Sequence, residues 1–205
     1  MELAWEAYRA GSLPIGAVVA DAEGRIVSTG RNRIHERTGP PGMVFGRKLA
    51  HAELNALLSL EDEEDPRARV LYTTTEPCPL CVGAARMADV GGLRYASREP
   101  WAGSAAMFET VPYLRRAHLG LERPKDPRLE AVLTTLLVER FLHLKPKVLP
   151  SFLKLYEEVM PQATRAGQNV YRSGLLRTMN ADGASAREMV LVLSKEFPEP
   201  EKLTS

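Results

Sequence analysis

The sequence predicts an α/β fold followed by a helical C-terminal extension. Three observations carry that expectation. Strand-like runs near 14–21, 25–30, 69–75 and 92–96 are separated, after the second, by helix-like segments, as in strands joined by helical crossovers. The stretch "DPRLEAVLTTLLVERFLH", residues 126–143, has the apolar periodicity of a long amphipathic helix. Beyond about residue 145 the chain reads as two or three helices punctuated by Pro146, Pro150, Pro161, Gly167, Gly174 and Gly183.

The elements follow in order. A helix over 2–10 precedes the first two strands, which "DAEGR", residues 21–25, joins as a hairpin-like turn. "RKLAHAELNALLSLEDEED", residues 47–65, reads as a helix with Leu49, Leu54, Leu57 and Leu58 on or near its core face. The acidic run at 61–66 reads as a solvated loop. "RVLYTTT", residues 69–75, is rich in β-branched and aromatic residues and reads as a strand. "CPLCVGAARMADV" reads as a helix. Pro79 suits its first turn, because the N–H that proline lacks would be unpaired there anyway. A strand or short edge near 119–123 completes the α/β part. In the extension, Phe152, Leu153, Leu155, Tyr156 and Val159 argue for packing rather than disorder. The extension reads as a helical cap or dimer support, with a substrate lid as the sharper alternative.

Composition narrows the function. With 44% hydrophobic and 26% charged residues, the chain is ordinary for a soluble globular protein. A net charge of +1 gives no electrostatic case for a general nucleic-acid binder. "MELAWEAYRAGS" does not read as a signal peptide, and no run approaches the roughly 18 apolar residues of a membrane span. A cytoplasmic protein is expected, in which a structural disulfide is not.

Both cysteines fall in "EPCPLCVGAARM", residues 76–87, as Cys78 and Cys81. They can be packed small hydrophobes, a redox pair or metal ligands. A helix start, with unpaired N–H groups and a favourable dipole, suits thiolates in either of the last two cases. His51 and Glu53, in "LAHAELNAL", tip the balance toward metal. With Pro77, Cys78 and Cys81 they complete the H-x-E…P-C-x-x-C signature of zinc deaminases. One imidazole and two thiolates leave zinc's fourth position to water, and a nearby carboxylate can take that water's proton. His35, His118 and His143 remain as possible fourth ligands with no motif placing them. Residues i and i+2 do not share a face within a regular helix, so His51 and Glu53 must sit at the helix start. A non-catalytic zinc-binding interaction domain would not need Glu53, and a redox protein would need neither His51 nor Glu53.

On these motifs, together with "LPIGAVVAD", "GRIVSTGRNR" and "VLYTTTEPCPLCVGAARMADVGGLRYAS", the chain resembles the cytidine and deoxycytidylate deaminase superfamily. The nearest branch holds tRNA adenosine deaminases, guanine deaminases and yeast-type cytosine deaminases. The resemblance runs from about residue 1 to 143, leaving 144–205 as a helical extension. It implies a three-layer α/β/α sandwich around a five-stranded mixed sheet. It implies one zinc per chain on His51, Cys78 and Cys81, with Glu53 as proton shuttle. Asn32 is implied to hydrogen-bond the substrate base, where a plain turn residue is the alternative. The Ala52 backbone N–H is implied to touch substrate. A homodimer is the family's common assembly.

The substrate expected is a small amino-heterocycle, such as a free nucleobase, nucleoside or aminated triazine, with tRNA as the alternative. "NR" after the second strand and "AGS" at 102–104 resemble the tRNA enzymes. Three departures weigh against them. "REPWAGSAAMF" reads as shorter than the family's usual loop and places Trp101 where that loop would hold an anticodon. Residues 34–48 can narrow the pocket mouth, and the tail lacks a basic cluster to grip phosphates. Trp101, Phe45 and Phe108 are candidates to stack on or enclose a planar base, with plain packing the alternative.

Overall fold

A computed structural model describes residues 1–60 and 65–197. The chain opens with α1 (Glu2–Arg9), then β1 (Gly16–Ala20) and β2 (Ile26–Arg31). The turn between these strands is a hairpin: the Asp21 carboxylate accepts the Glu23 and Arg25 N–H groups and meets the Arg25 side chain at 2.7 Å. Next come α2 (Ala52–Leu58), a short 3₁₀ turn over Pro66–Ala68, β3 (Val70–Thr73), α3 (Pro79–Met87) and β4 (Gly92–Tyr95). Two short helices, α4 (Met107–Thr110) and α5 (Pro112–Arg115), precede β5 (Gly120–Glu122) and the long α6 (Pro127–Leu144). The extension forms α7 (Leu149–Val159), α8 (Pro161–Ser173), α9 (Leu175–Ala181) and α10 (Ala186–Ser194).

The five strands make one mixed sheet in the order β2-β1-β3-β4-β5. β1 pairs antiparallel with both β2 and β3, while β3–β4 and β4–β5 are parallel, each reached through helices. Two glycines show which helix covers which face. A Cβ on Gly16 would lie 2.7 Å from Leu3 Cβ of α1, and one on Gly30 would overlap the α2 backbone at Ala52 and Ala56. Gly30 pairs with Ala17, the neighbour of Gly16, and adjacent residues of a strand face opposite ways, so α1 and α2 lie on opposite faces. Between the sheet and α2, α3 lies a core of Val19, Leu71, Leu93, Ala56, Val82 and Ala85.

A second core lies on the α1 side. Trp5 and Tyr8 of α1 and Val132 and Leu136 of α6 pack with Val170, Leu176, Met189 and Leu193 of the extension. The Trp5 indole N–H donates to the Ala184 carbonyl at 2.7 Å. A third cluster joins Leu137 and Val138 of α6 to Phe152, Tyr156 and Met160. Among the described residues no helix is long and apolar enough to cross a membrane.

Several expectations need correction. The helix read over 47–65 spans only Ala52–Leu58, and the part at 61–64 lies outside the described residues, as does most of the acidic run. Leu57 is in the core, while Leu49, before the helix begins, and Leu58, at its end, are 57% and 55% exposed. The extension holds four helices among the described residues, not two or three. Pro150 and Pro161 sit in first helical turns, where proline starts a helix rather than ending one. Gly167 lies inside α8, where a Cβ would be 2.7 Å from Val138 Cγ1 and 3.0 Å from the Thr135 carbonyl. It is there to let α8 approach α6. The helices at 107–115 leave no signal in the sequence, because each is only one turn long and carries no periodicity.

Candidate metal centre

Local sequence puts the ligand-type residues at two helix starts. His51 is the N-cap of α2 in extended backbone, and its carbonyl accepts the Asn55 N–H at 3.0 Å. Cys78 is the N-cap of α3, also extended, with Pro79 following. Cys81 lies one turn on, fully buried. The caps break helical geometry where the i, i+2 pair needs it. His51 projects before the helix begins, and Glu53, in the first turn, reaches the same place from another side.

The resulting triangle is tight. His51 Nδ1 lies 3.5 Å from each sulfur, and the sulfurs are 3.7 Å apart. Tetrahedral zinc, with Zn–S about 2.3 Å and Zn–N about 2.0–2.1 Å, sets two sulfurs about 3.75 Å apart and sulfur and nitrogen about 3.5 Å apart. The three side chains therefore fit zinc in both donor chemistry and spacing. Among the described residues they are the one group of three or more His, Cys, Asp or Glu side chains able to hold a metal ion. The other histidines are elsewhere. His143 meets the buried Glu139 carboxylate at 2.7 Å, His35 lines a loop cavity and His118 precedes β5.

Electrostatics follow from this crowding. Hydrogen bonding with Cys81, then with His51, pulls the Cys78 thiol down to about 4, while its bond to Cys78 and its burial push Cys81 up. His51 is raised, first by its bond to Cys78. Glu53 is 4% exposed, and burial raises its carboxyl. The His51 imidazole draws that carboxyl back down, and the neighbouring Cys78 adds to the rise. A buried carboxyl shifted upward holds a proton more readily than an exposed one.

The remaining candidates divide. Asn32 is buried just past β2, where its Oδ1 accepts the Ile34 N–H at 3.2 Å. That is the turn role, and it leaves the amide's donor end uncommitted. Ala52 is buried as the first residue of α2, among the N–H groups a helix start leaves unpaired. Trp101 is 42% exposed, on a loop whose Ser104 N–H donates to the Pro77 carbonyl at 2.9 Å. Phe108 is not at the site. It belongs to the core between sheet and helices, because α4 turns it inward. Phe45 packs on Gly39 and lines a cavity of about 480 Å³ with Ile34 and His35. A further cavity of about 390 Å³, floored by Val18, Tyr72 and Arg94, contains none of the candidate residues.

Two positioning residues carried no sequence signal. Asn55, fully buried on α2, holds both backbone groups of Val44 at 2.7 and 3.0 Å and the Arg31 carbonyl at 3.2 Å, pinning the 34–48 segment. Glu76 accepts the Glu99 and Ala105 N–H groups at 3.2 and 3.1 Å.

The chain is thus an α/β protein with a three-ligand site fitted to zinc, the arrangement that leaves a fourth position for water. Residues 1–97 match the family model described as the cytidine and deoxycytidylate deaminase zinc-binding region. A tRNA-specific adenosine deaminase of Agrobacterium fabrum is 35% identical over 112 residues, 51% of this chain and 67% of the relative. A guanine deaminase of Bacillus subtilis is 29% identical over 151 residues, 70% of this chain and 84% of the relative. A protein solved in complex with 2,6-diaminopurine superposes with a TM-score of 0.50 at 25% identity, covering 68% of this chain and 76% of that one. The chain spans only 17% and 18% of the tRNA(Ile)-lysidine synthases of Deinococcus radiodurans and Deinococcus deserti that it also matches. The chain belongs to the cytidine and deoxycytidylate deaminase family.

Proposed function

We propose that this chain is a zinc-dependent hydrolytic deaminase that removes an exocyclic amine, as ammonia, from a small amino-heterocycle such as a free nucleobase, nucleoside or aminated triazine. The observation that carries the reading is Glu53, a buried carboxyl in the first turn of the helix capped by His51, itself one of the His51, Cys78 and Cys81 triangle. Zinc, when bound by those three side chains, supplies a water of lowered pKa. Glu53 takes one proton of that water and delivers it to the ring nitrogen, as the water's oxygen bonds to the carbon bearing the amine; it then takes the second proton and passes it to the amine, whose C–N bond breaks to release ammonia. Asn32 offers its amide donor to the base, Ala52 its backbone N–H, and Trp101 a ring to cover it. Residues 1–143 carry this chemistry and 144–205 support it.

The small-molecule reading draws support from the long match to the guanine deaminase and from the relative solved with 2,6-diaminopurine. The tRNA reading draws support from the match to the tRNA-specific adenosine deaminase. An ammonia-release panel decides between them: adenine, guanine, cytosine, their nucleosides, aminated triazines and an adenosine-wobble tRNA stem-loop. Turnover on a small heterocycle is expected. Turnover on the stem-loop alone reverses the substrate, and turnover on none overturns the deaminase reading.

A homodimer belongs to the same proposal. Leu58 ends α2 and Met87, 74% exposed, ends α3, so apolar side chains face outward on neighbouring helices. Light scattering is expected to give twice the chain mass of 22.7 kDa, and a clean monomer at micromolar concentration would refute it.

A further inference from the structure

The loop after β4 is held from two sides. On the metal-site side, Glu76 accepts the N–H groups of Glu99 and Ala105, and Ser104 N–H donates to the carbonyl of Pro77. Pro77 immediately precedes Cys78, the N-cap of α3, so the loop's backbone is tied to the segment that delivers a ligand. On the opposite side the loop meets helices from much later in the chain. Arg98 forms a forked ion pair with Glu130 of α6 at 2.8 and 3.0 Å, and its N–H donates to the same carboxylate at 2.9 Å.

The last tie comes from the extension. Tyr156 of α7 is fully buried, its ring stacked on Phe152 at 4.1 Å. Its hydroxyl donates to Glu99 Oε1 at 2.6 Å. The same carboxylate accepts the Trp101 N–H at 3.1 Å and the Ala102 N–H. Burial pushes the Glu99 carboxyl up, and the Tyr156 hydroxyl and these two N–H groups pull it back. Glu99 is thus a hub. One arm organises the turn that displays Trp101, and the other is anchored to a helix outside the residues that match the family model.

We infer that Tyr156 is a positioning residue, whose hydroxyl acts through Glu99 to set the 98–105 loop against the segment carrying Cys78, making α7 part of substrate recognition as well as of the core. The recognition half rests on the deaminase reading. The positioning half does not.

The test compares Tyr156→Phe with Phe152→Leu in the full chain. The first removes one hydroxyl and keeps the ring. The second loosens the same helix and keeps the hydroxyl. Hydrogen exchange read by mass spectrometry on peptides covering 98–106 is expected to quicken about tenfold in Tyr156→Phe, in proportion to one lost hydrogen bond to a charged group, with α2 and α3 peptides unchanged. On the best substrate of the panel, KM is expected to rise about tenfold with kcat within about threefold, as loss of uniform binding requires. Phe152→Leu is expected to lower the melting temperature and do neither. Wild-type loop exchange in Tyr156→Phe, or the same loop change in Phe152→Leu, would overturn the positioning role. Faster loop exchange with an unchanged KM would overturn the recognition role alone. If no substrate turns over, the exchange comparison still decides the positioning role, so that failure and the failure of the deaminase reading stay distinct.

Discussion

Glu53 and the three ligand-type side chains answer to different readouts, and that separates them at the scale of single residues. Glu53→Ala removes the carboxyl proposed as the proton shuttle and leaves His51, Cys78 and Cys81 in place. It is expected to keep one zinc per chain by elemental analysis and to lose turnover by about 10²–10⁴-fold. Near-normal turnover would contradict the role. His51→Ala and Cys78→Ala instead remove a donor from a three-ligand set. They are expected to purify with zinc well below stoichiometric, and full occupancy would show that the site lies elsewhere. These four residues were legible in the sequence because the motif lies in two short segments, and each segment's backbone is fixed by its own helix start. Asn55 and the Glu99–Tyr156 bond were not legible. Their meaning lies in partners 11 and 57 residues away, which no local pattern announces.

Close helix approach gives the elements their own predictions. Gly30 lets α2 lie against β2, and a Cβ there would collide with helix backbone, which cannot rotate aside as a side chain can. Gly30→Ala is expected to lower stability by about 1–3 kcal/mol, the range for overpacking, measured by urea unfolding. Gly167→Ala should also cost stability, against the usual trend for a helix interior. Alanine normally favours a helix interior by roughly 1 kcal/mol, yet here its methyl would press on Val138 and the Thr135 carbonyl, so a net loss is expected. A gain would mean that α6 and α8 can separate at little cost. This is also where sequence reading misjudged the fold. Gly167 looks like a breaker because what it accommodates is on another helix. Leu49 and Leu58 look like core because periodicity does not say how short a helix will be. The strands are legible in the sequence, since β-branched runs bounded by turns need no distant information.

The whole molecule has two faces with different partners. One side of the sheet is closed by α2 and α3, which carry the candidate site. On the other side α1 and α6 are closed in turn by the extension. A chain ending at Leu144 would uncover Trp5, Tyr8, Val132, Leu136 and Leu137. At about 1.5–3 kcal/mol for each fully buried large apolar side chain, that loss is comparable with the whole stability of an ordinary domain. The truncated chain is expected to be insoluble or to lack a cooperative melt by circular dichroism. A soluble, cooperatively folded fragment with full zinc would show that the first 144 residues stand alone.

The bond between Trp5 and Ala184 reaches across 179 residues, and so gives the molecule a history as well as a shape. A ribosome adding about 5–20 residues each second delivers the tryptophan early and its acceptor roughly 10–35 seconds later. Throughout that interval the apolar side of α1 has emerged while the extension that will cover it is still unmade. Synthesis therefore passes through a stage in which the zinc-ligand helices exist and the opposite flank is sticky. Slowing translation should lengthen that exposure, and a chaperone that holds apolar helices would find its target on α1.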